Sequence, residues 1–287
     1  MANVLIAGCG YVGTALAHSL LPEHRVWGIR RQVDRLPSGV EQLALDLSAP
    51  FALPQGVAFD WVFYTAAAAE FTPAAFQAAY VDGPRHLVQA LLVADQRPTR
   101  VFYTSSTGVY GQREGERVDD TTPAEPGDST GRAVLQGEQT FQASGLPSTA
   151  VRFSGIYGPG RASLVHDLAA GRAGVSDVPM TANLIHRDDC VGVLRFLLQH
   201  AQTGLVPPVV LACDPQPTDR NELIRWLAGR MGLDAAQLPV RPLPPMARGR
   251  KHCHSAWLQH TGYAFRYPSF REGYEALLNT EDWHHGR

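Results

Sequence analysis

Asn3-Val-Leu-Ile-Ala-Gly-Cys-Gly-Tyr-Val-Gly13 stands at the head of a chain of 287 residues. Val4, Leu5, Ile6 and Ala7 form an uninterrupted apolar run, the pattern of a strand buried on both faces. Gly8, Gly10 and Gly13 follow in G-x-G-x-x-G spacing, and Thr14 to Leu21 continue as a helical segment. The first glycine permits a tight turn, the second lets backbone approach a diphosphate, and the third lets helix pack closely on strand. Phosphates are then expected on free N–H groups at the positive end of the helix. The stretch therefore predicts a dinucleotide site made by Gly8, Cys9, Gly10, Tyr11, Val12 and Gly13.

Working outward, Arg25 to Ile29 read as a second strand, ending at Arg30-Arg31. An enzyme that uses NAD usually places an acidic residue here, about 20 residues past the glycines, to hold the ribose 2′-hydroxyl. Two arginines suit the 2′-phosphate of NADP instead, so NADP is preferred over NAD. A solvated basic turn is the alternative reading. Glu41 to Leu45 form a third strand running into Asp46-Leu47, where adenine would lie. Asp60 to Thr65 form a fourth, followed by the small run Ala66 to Ala69. Thr65, Ala66 and Ala67 would let the backbone lie against a cofactor, although the run also reads as an alanine-rich helix start.

Pro84 to Ala94 has helical periodicity, and Arg100 to Thr104 makes a fifth strand ending in Ser105-Ser-Thr-Gly-Val-Tyr-Gly111. Hydroxyls at the carboxyl end of a central strand sit where open α/β sheets bind ligands. A helix over about 130–143, a sixth strand over 148–153, an apolar helix to about Gln199 and a seventh strand over 209–213 follow. Arg152 reads as a strand-end charge. Asp219 and Glu222 have capping-box spacing before a helix through Met231. The alternation predicts an α/β fold: a Rossmann-type doubly wound parallel sheet with a small C-terminal substrate-side subdomain. Residues 1–160, completed by 183–213, are assigned to the Rossmann domain; 161–182 and 214–287 are assigned to the smaller substrate-binding portion.

Composition narrows the function classes. Hydrophobic residues at 45% and charged residues at 18% fit a globular protein, and a formal charge of −2 leaves no footprint for nucleic acid. No apolar run reaches the roughly 20 residues that cross a bilayer. No basic segment precedes an apolar one at the N-terminus. Cys9, Cys190, Cys213 and Cys253 are scattered, as reduced thiols of a cytoplasmic protein would be. His252-Cys253-His254 and His284-His285 look metal-like, but adjacent side chains rarely converge on one ion, so no metal is expected.

These residues resemble the extended short-chain dehydrogenase/reductases, the NAD-dependent epimerase/dehydratase family. The resemblance rests on the glycine loop, Asp46-Leu47, Ser105 to Gly111, Val151-Arg-Phe-Ser-Gly-Ile-Tyr-Gly-Pro-Gly-Arg161, Ile185-His-Arg-Asp-Asp189 and Gly262-Tyr-Ala-Phe-Arg-Tyr-Pro268. Ser129-Thr-Gly-Arg132 and the form of the loop are similar to an atypical bacterial branch, the YeeZ-like proteins. The resemblance implies hydride transfer with a tyrosine as acid or base, a lysine four residues later, an orienting serine and a supporting asparagine. Alignment on Glu138 puts Thr130 at the tyrosine position and Val134 at the lysine position. Ser106 falls on the serine, and Tyr80 on the asparagine.

A phenol is tuned downward by a neighbouring ammonium, whereas a threonine hydroxyl is not. Losing positioned acid–base help costs about 10²–10⁴ in rate, about 3–5 kcal/mol. Ser106, Thr130, Tyr110 and Arg132 are the candidate catalytic residues, with Tyr157 and Tyr80 as other phenols within the motifs. By resemblance Phe153, Ser154 and Gly155 lie beside the nicotinamide. Tyr157, Arg161, His186 and Lys251 are candidates for substrate, as are Arg172, Arg248 and Arg250; His186 reads more readily as a cap on the helix that follows Asp188, and surface solubility accounts for the cations about as well. Two functions follow: an NAD(P)-dependent oxidoreductase or epimerase acting on a small polar or nucleotide-sugar-like substrate, or a catalytically silent NADP-binding sensor. A homodimer through sheet-flanking helices is implied by the resemblance.

Overall fold

Val4 to Ala7 are fully buried in the strand β1 (Asn3–Ala7), as a run without polar breaks requires. Around it the chain alternates strand and helix: α1 (Tyr11–Leu20), β2 (Arg25–Ile29), β3 (Glu41–Leu43), β4 (Trp61–Tyr64), α2 (Gly83–Val93), β5 (Arg100–Ser106), α3 (Ser129–Ala143), β6 (Ser148–Phe153), α4 (Arg187–Thr203) and β7 (Val209–Ala212). The computed structural model describes residues 1–242 and 249–280; Arg248 and His284-His285 lie outside them.

The seven strands form one parallel sheet in the order β7-β6-β5-β4-β1-β2-β3. The order reverses between β1 and β4, the switch point at which open α/β sheets bind ligands. Val4, Leu5, Ile6 and Ala7 lie in register with Val26 to Ile29 on one side and Trp61 to Tyr64 on the other. The core beneath includes Leu5, Ile29, Val62, Tyr64, Leu87, Leu91, Tyr103 and Phe141. Each buried Leu or Ile contributes roughly 1.5–3 kcal/mol by leaving water.

Element ends depart from the sequence reading for local reasons. β3 stops at Leu43 because Leu45 N turns back to the Leu43 carbonyl at 2.9 Å. Ala66 to Ala69 begin no helix; the next helix starts at Pro73, capped by Thr72, whose Oγ1 accepts from Ala75 N at 3.2 Å. A π-helical segment, Ala78–Asp82, then leads into α2. There the Tyr64 hydroxyl donates to the Ala79 carbonyl, and a Cβ on Gly83 would overlap that hydroxyl. A side chain inserted into the ladder is a known cause of such bulges.

The chain divides into two compact units. The first comprises 1–111, 123–152 and 191–210; the second comprises 112–122, 153–190 and 211–287. The division falls at 152, inside β6, where the sequence assigned residues through 160 to the first domain. In the second unit Gly155–Tyr157 pairs with Leu184–His186, Thr181–Ala182 with Thr218–Asp219, and Arg117–Val118 with His252–Cys253. Its own core gathers Val165, Leu168, Leu223, Leu227, Phe270, Tyr274 and Leu277. Asp219 caps Arg220–Arg230 as expected, accepting from Asn221 N and Glu222 N. Glu222, by contrast, turns away to Thr218 and Arg271. All four cysteines are free and buried. Among the described residues no helix is long and apolar enough to cross a membrane.

Candidate functional site

The three glycines of the loop are required for different reasons. Gly8 has a φ of +100°, and a Cβ there would overlap the Ala66 backbone. A Cβ on Gly13 would overlap Thr65 Oγ1 and stand 2.6 Å from the Gly8 carbonyl oxygen. Gly10 is different: a Cβ there would meet nothing nearer than the Gly8 oxygen at 4.0 Å, and the residue is exposed. Fold packing needs Gly8 and Gly13, while Gly10 leaves open space over the helix start.

Hydrogen bonds hold the turn rigid. Gly8 N and Cys9 N both donate to the Ile29 carbonyl at 3.1 Å. Thr65 Oγ1 donates to Gly8 O and Thr14 Oγ1 to Cys9 O, each at 2.8 Å. The first-turn N–H groups of α1 have no acceptor within the helix and carry its positive end. The cradle fits a diphosphate. Burial pushes the Cys9 thiol up to about 12 against the opposing charge of Arg30, so Cys9 stays protonated and is no nucleophile.

Arg30, at the end of β2, is half-buried, and its Nη1 donates to Cys9 O at 2.7 Å. Its guanidinium is thereby tied to the loop, while Arg31 is exposed. Asp46 is exposed; the Ser48 hydroxyl and N–H, at 2.7 and 2.9 Å, hold its carboxyl below the ordinary range. Leu47 packs against the core, and its carbonyl meets His86 Nδ1 at 3.0 Å. Thr65 is buried, Ala66 half-buried and Ala67 exposed in the loop after β4.

At the end of β5, Ser106 Oγ accepts from Gly108 N at 3.0 Å and starts a 3₁₀ turn, Thr107–Val109. α3 begins against that turn, since a Cβ on Gly131 would overlap the Gly108 carbonyl oxygen. The fold thus brings the serine and tyrosine positions of the family pattern to adjoining segments. Thr130 Oγ1 donates to Asp128 Oδ1 at 2.6 Å, and the same oxygen caps the helix by accepting Gly131 N at 2.8 Å. Val134 is buried, and its carbonyl accepts from the Tyr103 hydroxyl at 3.1 Å. Arg132 is exposed in the first turn of α3. Tyr80 is half-buried in the π-helical segment.

Arg152 is no surface charge. It lies buried in β6, with Nη2 on Glu138 Oε2 at 2.7 Å and Nε on Oε1 at 2.9 Å. Ser105 Oγ also donates to Glu138, and Arg152 Nη1 donates to the Tyr110 hydroxyl at 3.0 Å. Tyr110 is buried, with the guanidinium 4.9 Å from its ring centroid. Burial works to lower the Arg152 pKa, but the hydrogen bonds and charge of Glu138 hold it above the ordinary arginine value. Sequence reading missed this network. The signal was present: Glu138 shares the Val134/Phe141 face of α3, and Arg152 interrupts the apolar run Ala150-Val-Arg-Phe. A charge on a buried face requires a partner.

In the second unit Phe153 and Ser154 are buried and Gly155 is exposed; Ser154 N donates to Ala212 O at 3.0 Å. Tyr157 is buried, stacked on Tyr274 at 4.7 Å, and its hydroxyl sits where a Cβ on Gly273 would be. His186 is buried, and its Nδ1 accepts from Asp188 N at 3.2 Å, the capping role. Burial brings the His186 pKa down to about 4 against the pull of Asp188, so the ring is neutral, with its proton on Nε2. Arg161 and Arg172 are exposed, and Arg172 pairs with Asp167 at 2.8 Å. Lys251 is buried, and its carbonyl accepts from Asn183 Nδ2 at 2.9 Å. Arg250 pairs with Glu114 at 3.1 Å.

Two buried carboxyls lie here: Asp189 closes the Ile185-His-Arg-Asp-Asp189 motif without having been assigned a role, and Asp214 carried no sequence signal. Asp189 accepts from Arg266 N, Tyr267 N and the Tyr263 hydroxyl at 2.7, 2.9 and 3.3 Å. Asp214 accepts from Gln216 N at 3.1 Å. Burial pushes Asp214 up to about 8 against that hydrogen bond, and the charges of Asp189 and Glu272 add to the rise.

A parallel sheet with this strand order and a glycine cradle at its switch point defines a Rossmann-type dinucleotide-binding protein. Residues 4–213 match the NAD dependent epimerase/dehydratase family, and the chain belongs to that family. It is similar to Protein YeeZ of Escherichia coli K12, 28% identical over 283 residues that cover 93% of this chain and 97% of YeeZ. The structure of a putative NAD-dependent epimerase/dehydratase from Methylobacillus flagellatus is 33% identical with a TM-score of 0.78, covering 97% of this chain and 98% of that one. MoeE5, solved in complex with UDP-glucose and NAD, shares the fold at 21% identity and a TM-score of 0.79, covering 99% and 98%.

Proposed function

We propose that the chain is an NADP-preferring oxidoreductase or epimerase of the extended short-chain dehydrogenase type, acting on a small polar or nucleotide-sugar-like substrate. The observation that carries this reading is the loop: Gly8 and Gly13 are fixed by packing, and Gly10 is open to a diphosphate. Arg30, tied to Cys9 O beside that loop, supports the preference for a 2′-phosphate. MoeE5's complex with UDP-glucose supports a nucleotide-sugar-like substrate. Bound there, a nicotinamide supplies or accepts the hydride.

The remaining work falls to side chains of the chain itself. Ser106 uses its oxygen to accept from Gly108 N, which leaves its O–H to donate to a substrate oxygen. Thr130, held by Asp128, stands in the tyrosine position and orients substrate without serving as a strong acid. Tyr110 supports Arg152 and does not exchange a proton with substrate. Arg132, exposed in the first turn of α3, is a cation offered to an anionic substrate group. Exposed Leu92 and Val93 on α2 support a homodimer, and the free thiols agree with a cytoplasmic protein.

Fluorescence titration with NADPH and NADH, followed by incubation with a carbonyl and sugar-nucleotide panel, tests the proposal. Tight binding with turnover upholds it. Binding without turnover selects the second reading, a silent NADP sensor, which Thr130 and buried Val134 favour. Absence of binding removes both.

A further inference from the structure

We propose that the outer face of the ladder between Arg117–Val118 and His252–Cys253 binds a phosphoryl oxyanion. The two segments run parallel, with His252 in register with Arg117 and Cys253 with Val118. His252 N donates to Glu116 O and His254 N to Val118 O, each at 2.9 Å. Registered residues of a parallel pair share a face, and so do residues two apart. Val118 and Cys253 therefore point together, and both are buried. Arg117, His252 and His254 share the opposite face.

That face lines a depression of about 340 Å³, walled by Arg117, Pro217, Cys253 and the two histidines. None of the five residues carries a carboxylate. Among the described residues no hydrogen bond or ion pair engages the side chains of Arg117, His252 or His254. The neighbouring acids are occupied: Glu116 accepts from Glu114 N at 2.7 Å, and Asp119 accepts from Thr121 N at 3.0 Å. A guanidinium fork and two imidazoles from adjacent strands give donors in several directions. That arrangement suits the tetrahedral oxygens of a phosphoryl group better than a planar carboxylate. The volume lies at the small end of ligand pockets, enough for the group with a modest substituent. The site shares no residue with the glycine loop, so it does not depend on the dinucleotide reading.

The full chain is titrated by calorimetry, in a phosphate-free buffer, with inorganic phosphate, with glucose 1-phosphate, and with glucose as the neutral control. Saturable binding of either phosphate, with a Kd of about 1 mM or tighter, and none of glucose, is expected. The tighter of the two shows whether the pocket takes the bare group or a phosphomonoester. Arg117→Gln and the double variant His252→Gln/His254→Gln should each weaken binding about tenfold or more. Arg117→Lys should lose less, because it keeps the charge and drops the fork. Each variant is compared at unchanged melting temperature. Arg225→Gln, at an exposed arginine of the helix Arg220–Arg230 outside this depression, should leave phosphate binding intact. No saturation by about 10 mM, retention in both variants, or loss in Arg225→Gln would overturn the proposal.

Discussion

Glu138 and Arg152 form a two-pronged ion pair inside the first unit, with side chains only 1% and 6% exposed. Ser105 and Tyr110 complete its hydrogen bonds, so neither charge is stranded. Such a pair contributes little net stability when intact, but removing one partner leaves a buried charge and costs about 3–5 kcal/mol. Glu138→Ala should therefore lower the melting temperature sharply. Glu138→Leu combined with Arg152→Met should lose less than either single change. Thermal unfolding of Glu138→Leu, Arg152→Met and the double variant checks this; additive losses would mean that the two side chains act independently.

The glycine loop separates a folding defect from a binding defect. Gly13→Ala brings a Cβ onto Thr65 and Gly8, inside a packed contact, and should destabilise the chain. Gly10→Ala places its methyl in open space. It should keep the wild-type melting temperature and lose dinucleotide affinity about tenfold or more, some 1.4 kcal/mol. Paired melting and fluorescence titrations read the two effects; unaltered affinity in Gly10→Ala would place the diphosphate elsewhere.

Much of this was legible from local pattern. The seven strands and their parallel, doubly wound arrangement follow from apolar runs and crossover handedness, and the loop from glycine spacing alone. Short pairs such as Thr181–Ala182 with Thr218–Asp219 were not legible, because two residues carry no periodicity. The π-helical turn beside Tyr64 depends on a tertiary hydrogen bond that no local propensity encodes. Arg152 was misread because its partner lies 14 residues away on another element. His186 left two readings open, and only the Asp188 N–H contact supports the capping one.

Arg30 bears on cofactor preference. Its bond to Cys9 O at 2.7 Å fixes the guanidinium without an ion-pair partner among the hydrogen bonds it makes there. A charge-assisted contact to a 2′-phosphate is worth about 1.5–3 kcal/mol. Arg30→Ala should thus weaken NADPH about tenfold to a hundredfold and NADH much less. Equal losses for both cofactors would assign Arg30 to the loop alone.

Asp214 gives the stability a pH dependence of known sign. Its buried carboxyl titrates near 8, against about 3.9 in the unfolded chain. Between those values the folded chain holds a proton that the unfolded chain has lost, so stability falls as pH rises, by up to about 1.4 kcal/mol per pH unit. His186 works the other way: its pKa of about 4 when folded, below the usual 6.5, makes stability rise with pH over that range. The two offset each other below about 6.5, which leaves the Asp214 slope exposed from there to about 8. Asp214→Asn mimics the protonated carboxyl and can still accept from Gln216 N. Thermal melts from about pH 6.5 to about 8 should therefore show wild type losing stability toward alkaline pH and Asp214→Asn holding level across the same interval. Parallel declines in the two proteins would mean that another group carries the proton.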